Sequence, residues 1–134
     1  MTWVRFEYAV LRVVPRVDRG EAVNGGVVLF CRARRFLGAR VGLGDAREAA
    51  LRLLAPDLDL ELVRERLAIV PLICAGAPGS GPIGRLTQAE RFHWVVAPQS
   101  TIVQVGPVHT GICRDPAVAL DDAYADLLGL DGPR

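Results

Sequence analysis

Chemistry-capable side chains crowd into one short polar segment: Arg16, Asp18, Arg19, Glu21 and Asn24 stand between two apolar runs. A guanidinium presents a planar fork of donors that matches carboxylate or phosphate. A carboxylate beside it could serve as general acid or base. Arg12 just upstream, and Ser100, Thr101 and His109 far downstream, complete the candidate set. Together they suggest a surface that recognises an anion. The same residues also suit a solvated turn, where exposed ion pairs contribute only about 0–1 kcal/mol each. Glu21 and Asn24 could then simply tie the turn together through backbone hydrogen bonds.

Other features carry less chemistry. The run GAPGSGPIG (76–84 with its neighbours) could offer backbone N–H groups to an anion, but it has no lysine and has prolines where donors are wanted. It reads better as a mobile surface connection. His93 has alanines, Ala89 and Ala97, one turn to either side, so no metal pair is spelled out. Cys31, Cys74 and Cys113 are far apart and lack the spacing of a zinc or redox motif. Cys31 follows an apolar run and reads as a packed residue. Ser100 is not set in a nucleophile elbow. No catalytic set, metal site or cofactor is spelled out.

The elements that would position these groups follow from pattern. Positions 3–14 are rich in β-branched and aromatic residues and end at Pro15, the mark of a long strand. Gly25-Gly26 signals a turn, and Val27–Cys31 reads as a strand covered on both faces. Arg32–Arg35 turns the chain into a third strand at 36–41, giving an antiparallel meander. Asp45 and Glu48 open an amphipathic helix whose apolar face is Ala46, Ala49, Ala50, Leu53 and Leu54. A second helix starts near Asp57 or Asp59 and ends or kinks at Pro71. Thr87 and Glu90 form a capping box for a third. A short strand at 101–105, its continuation at 108–112, and a helix from Asp115-Pro116 to Gly129 complete the chain. The class is α+β: an N-terminal antiparallel strand meander, then three to four helices and one or two further strands, in a single domain spanning 1–134.

Composition bounds the rest. The chain has 134 residues, enough for one domain with a real core, and 51% of them are hydrophobic. No apolar run reaches bilayer length, and the first seven residues do not resemble a secretory signal, so the expectation is a cytoplasmic protein with no membrane segment. All 16 basic residues are Arg, which excludes lysine Schiff-base and P-loop chemistry. The net charge of +1 hides a basic first part and an acidic second part, which suits internal pairing of the two halves or pairing between protomers as well as nucleic acid, whose binders usually carry a clear basic excess.

Four blocks, YAVLRVVP, RGEAVNGGVVLF, PQSTIVQVGPVHTG and the helix that starts at Asp115-Pro116, together resemble the bacterial domain-of-unknown-function family 3037 (DUF3037) across almost the whole chain. Tyr8, Arg12, Pro15, Glu21, Asn24, Gly26, Ser100, Thr101 and Gly111 match its pattern; Gln99 and Gly25 depart from it. The family brings no activity with it. It implies a small bacterial protein often encoded beside a kinase-like protein of the HipA type, hence a partner or regulator.

Three readings follow. The first is a non-catalytic binding or regulatory partner, with a homodimer through an open strand edge as a further expectation. The second is an enzyme on a phosphate- or carboxylate-bearing substrate, with Arg12 or Arg16 holding the anion, Glu21 as acid or base and His109 assisting; it requires these side chains to converge. The third is a nucleic-acid module using Arg32, Arg34, Arg35 and Arg40, and it is the weakest.

Overall fold

The computed structural model describes residues 2–99 and 101–129. Five strands form one antiparallel sheet: β1 (Val4–Val13), β2 (Val23–Cys31), β3 (Phe36–Val41), β4 (Val103–Val105) and β5 (His109–Cys113). Four helices accompany it: α1 (Gly44–Leu54), α2 (Leu60–Ala75), α3 (Gln88–Val96) and α4 (Pro116–Leu128). The expected α+β class and N-terminal meander are present.

Strand β1 is the axis of the sheet. One edge pairs with β2 and, through it, β3. The other edge is shared end to end by two short strands. β4 pairs with Leu11–Val13, and β5 pairs with Val4–Tyr8. Between them Gly106 still donates its N–H to the Val10 carbonyl at 2.9 Å, while Pro107 has no N–H to give.

Alternation sorts the side chains onto two faces. Ala9, Leu11 and Val13 of β1, with Val28 and Phe30 of β2, meet Leu51, Val63, Leu67, Phe92 and Val95 from α1, α2 and α3. Val27, Leu29 and Cys31 meet Leu120, Tyr124 and Leu128 of α4 on the other face. The sheet is therefore covered by helix on both sides, which explains the unbroken apolar run of β2.

Three local expectations need correction. Gly25-Gly26 lies inside β2, not in a turn. The register passes from Leu11 opposite Gly26 to Arg12 opposite Asn24, so Gly25 is the extra residue of a bulge. A Cβ on Gly26 would come within 2.7 Å of the Arg40 carbonyl oxygen, so the glycine admits β3 at close range. Pro71 neither ends α2 nor sits at its boundary. It removes one donor, while buried Leu67, Val70, Ile73 and Cys74 hold the helix down on both sides of it. The helix stops at Gly76, which takes the left-handed conformation. Finally, Leu43, not Asp45, precedes the first turn of α1, and no side chain caps it. Leu51 is the buried residue of that helix, and Leu53 is 84% exposed. The β-to-α junction fixes the helix rotation, and the local pattern did not reveal it.

Two polar ties join the helices. Arg91 is buried and donates from Nη1 to the carbonyls of Ile73 (3.3 Å) and Cys74 (3.1 Å), closing the end of α2. Glu48 of α1 accepts two hydrogen bonds from Arg64 of α2, at 3.1 and 2.5 Å. The Arg64 guanidinium holds the Glu48 carboxyl below its ordinary value of 4.5. A depressed carboxyl contributes stability above its unfolded value and loses it as pH falls through the folded one.

Two outcomes test this packing. Leu51→Ala should lower unfolding free energy by about 2–5 kcal/mol in urea titrations, and Leu53→Ala should change it by under about 0.5 kcal/mol. Glu48→Gln should cost about 0.5–1 kcal/mol at pH 7, since Arg64 stays partly solvated. That difference should close as pH falls below the carboxyl's ordinary value of 4.5 and through its lowered folded-state value, in parallel titrations.

Candidate functional site

The structure splits the sequence candidates into two groups. Arg16, Arg19 and Glu21 sit in the β1–β2 connection, with Thr101 at the same end of the sheet, because Val14 donates its N–H to the Ile102 carbonyl. Arg16 pairs with Asp18 at 3.0 Å and Arg19 with Glu21 at 2.7 Å, all four being solvent-accessible. The Arg16 guanidinium, hydrogen-bonded to Asp18, holds that carboxyl below its ordinary value. Thr101 donates its hydroxyl to the Val103 carbonyl at 2.7 Å and ties its own turn. The charged side chains thus satisfy one another around a shallow recess of about 580 Å³ bordered by Pro15, Leu54, Pro56 and Ile102. Ser100 lies outside the described residues.

Arg12, Asn24 and His109 form the second group, on the face that carries α4. His109 stands opposite Tyr8, with ring centroids 5.4 Å apart. The Arg12 guanidinium lies over Gly106, where a Cβ would come within 3.0 Å of Nη2. Asn24 donates from Nδ2 to the Leu127 carbonyl at 2.9 Å, in the last turn of α4 where carbonyls lack intrahelical donors. Asn24 is therefore a tie between β2 and α4. Arg12 and Asn24 pair next to Val13 and Val23, at the end of the sheet that carries the turn, but His109 does not converge with them. Tyr8, opposite His109, and Val13, opposite Val23, are five residues apart on β1, about 17 Å at ~3.3 Å per residue. Glu21 lies beyond Val23, out of hydrogen-bond reach of His109.

Around His109 a different site emerges. Helix α4 lies over β2 and β3 and leaves the β1–β5 margin of its face open. The gap is a cleft of about 410 Å³. Phe6 and Tyr8 form its floor, with ring centroids 5.8 Å apart, and the Tyr8–His109 pair extends this into a row of three rings. The Phe6 ring lies over Gly111 of β5, where a Cβ would stand 2.6 Å from it. Ala119 and Ala123 line the α4 wall without bulk, and Asp122 and Asp126, one turn apart, stand at its rim. The cleft thus joins an aromatic floor to a carboxylate rim, a combination that suits an organic cation. Sequence reasoning missed Phe6, Asp122 and Asp126. In the pattern Phe6 is an ordinary strand residue, and the aspartates are the polar side of an amphipathic helix.

β5 borders this cleft and is, like β3 and β4, an edge strand of the sheet. Among the described residues its ladder partner is β1 alone, and no helix packs over its other face. Ile112 is 68% exposed and Val108 40%. On that second face alternation groups Thr110 and Ile112 with Arg5 and Glu7, and nearby the Arg114 guanidinium lies 4.8 Å from the Trp3 ring centroid. One edge strand therefore has an aromatic cleft with a carboxylate rim on one side and an apolar surface of mixed charge on the other.

The remaining candidates are occupied by structure. Ser80 donates to the Ala77 carbonyl within the Gly-rich loop, and a Cβ on Gly84 would overlap the Ser80 hydroxyl, so the loop is folded on itself. Burial pushes the Cys74 thiol up to about 12 and raises Cys113 as well; all three cysteines are buried and free. Arg32 stacks over Phe30, Arg34 donates to the Thr2 carbonyl at 2.7 Å, and Arg40 pairs with Asp121 while stacking over Tyr124. The Arg32–Arg34 segment is a short 3-10 turn, not a strand, so alternation does not align these side chains. Among the described residues no cluster of metal-ligating groups occurs, and no helix is long and apolar enough to cross a membrane.

Residues 8–128 match the family described as Protein of unknown function (DUF3037), and the chain belongs to that family. No curated protein and no solved structure matches the chain.

The roles assigned to Asn24 and Glu21 separate in a stability measurement. Asn24→Ala should destabilise the fold by about 1 kcal/mol, since it removes a partly buried hydrogen bond and leaves an acceptor unpaired. Glu21→Gln should stay within about 0.5 kcal/mol of the parent in the same denaturation series.

Proposed function

We propose that this member of the DUF3037 family is a non-catalytic binding protein, a partner or regulatory subunit of another protein. One observation carries the reading: β5 is a sheet edge left open beside an aromatic cleft, while the candidate catalytic side chains lie apart. Open strand edges invite pairing with a further chain, and proteins ordinarily blunt or cover them. The aromatic cleft and the exposed apolar side chains of Ile112 and Val108 beside β5 suit a partner surface. Raised thiol values at Cys74 and Cys113 and the self-paired hairpin charges give the enzyme reading little support. The stacked and paired arginines likewise weaken the nucleic-acid reading. The family resemblance names the first partner to test, a kinase-like protein of the HipA type. The bacterial cytoplasm is the expected setting.

Co-expression of the tagged chain with the products of its neighbouring genes, followed by size-exclusion chromatography with light scattering, tests the reading. The expected result is a single complex of defined stoichiometry containing this chain and one neighbour. A chain that elutes alone with every neighbour would sink the subunit reading. It would leave the homodimer as the remaining form of association if its mass is doubled.

A further inference from the structure

We infer that β5 and the α4 cleft together form a strand-addition site, and that its occupant is an extended segment of another protein carrying arginine or lysine towards α4. This deepens the binding reading above and rests on it. An added strand would lie about 4.8 Å outside β5 and hydrogen-bond to its outward backbone groups. Its side chains would alternate between the two faces. Those directed towards α4 would meet the Phe6 ring, which lies over Gly111, and the ring row that continues to Tyr8 and His109. A guanidinium or ammonium group there meets ring faces and the rim carboxylate of Asp122. Those directed to the other side would pack on Thr110 and on the exposed side chain of Ile112, beside Arg5 and Glu7. Apolar residues suit that face.

Chemistry also argues against a second copy as the occupant. In an antiparallel pairing through β5 a second copy would present His109, Gly111 and Cys113 of its own β5 to the α4 side, with no arginine or lysine among them to meet Asp122.

The test uses the full chain and a random heptapeptide display library as the probe. Enriched peptides are expected to alternate, with arginine or lysine adjacent to an apolar residue or three residues from it, so that the two face opposite ways. Fluorescence polarisation with the best peptide should show affinity reduced about tenfold or more by Asp122→Arg and by Ile112→Asp, both exposed positions, with circular dichroism unchanged. A glutamate in place of the peptide's basic residue should restore binding to Asp122→Arg and weaken binding to the parent. The inference is overturned by a library that yields no enriched sequence. It is equally overturned by peptides indifferent to both substitutions, or by a dimer in sedimentation that Ile112→Asp dissolves. If a co-expressed neighbour binds both variants as well as the parent, the docking site lies elsewhere and the partner reading stands. If neither a neighbour nor a peptide binds, both fail.

Discussion

Everything in this molecule hangs on the two edges of β1. One edge carries the long ladder to β2, and the other is divided between β4 and β5. The division is a backbone constraint. Pro107 cannot donate to a ladder, and the chain recovers through the Gly106 N–H before β5 begins. β4 joins the core around α2, while β5 runs along the N-terminal half of β1, beside the cleft that α4 borders.

The two helical layers are unequal, and the inequality creates the cleft. Three helices contribute to the face of Ala9, Leu11 and Val13, but α4 alone covers the opposite face. A single helix is about 10 Å across, close to two strand spacings, so it cannot cover four strands. Leu120, Tyr124 and Leu128 seat α4 over β2 and β3, and Asn24 fastens its last turn to β2. Arg40, paired with Asp121 and stacked over Tyr124, holds it on the β3 side. All these attachments draw the helix away from β5. Phe6 and Tyr8 are left half-covered because the helix that would bury them is held elsewhere.

Legibility from sequence followed the range of the interaction. The capping box of Thr87 and Glu90, the Asp115-Pro116 start and the Gly129 stop are written within a few residues, and each stands where the pattern places it. Gly25-Gly26 and Pro71 were misread because tertiary neighbours decide their roles: β3 and Leu67 crowd the glycines, and buried residues on both sides of the proline hold α2 intact. The hairpin charges were legible as a cluster. That they neutralise one another in pairs is a matter of rotamers, which spacing does not convey. The cleft was illegible for a deeper reason. Its floor comes from the start of the chain and its wall from the end, and only the return of β5 beside β1 brings them together.

An open edge flanked by exposed Ile112 and Val108 is an aggregation hazard unless its alternatives are suppressed. β5 has several such features. It is five residues long, it begins just after Pro107, and Gly111 weakens its tendency to template a flat ladder. Asp122 at the α4 rim adds a charge filter on one side, and Arg5, Glu7 and Arg114 add charged groups near the other. A generic apolar strand gains backbone hydrogen bonds here but must desolvate both charged borders without compensation, which is costly. A second copy brings no arginine or lysine to the α4 side. Only a strand whose alternating side chains complement both borders recovers what it desolvates. The features that keep this edge from pairing indiscriminately therefore also define the partner that it would accept.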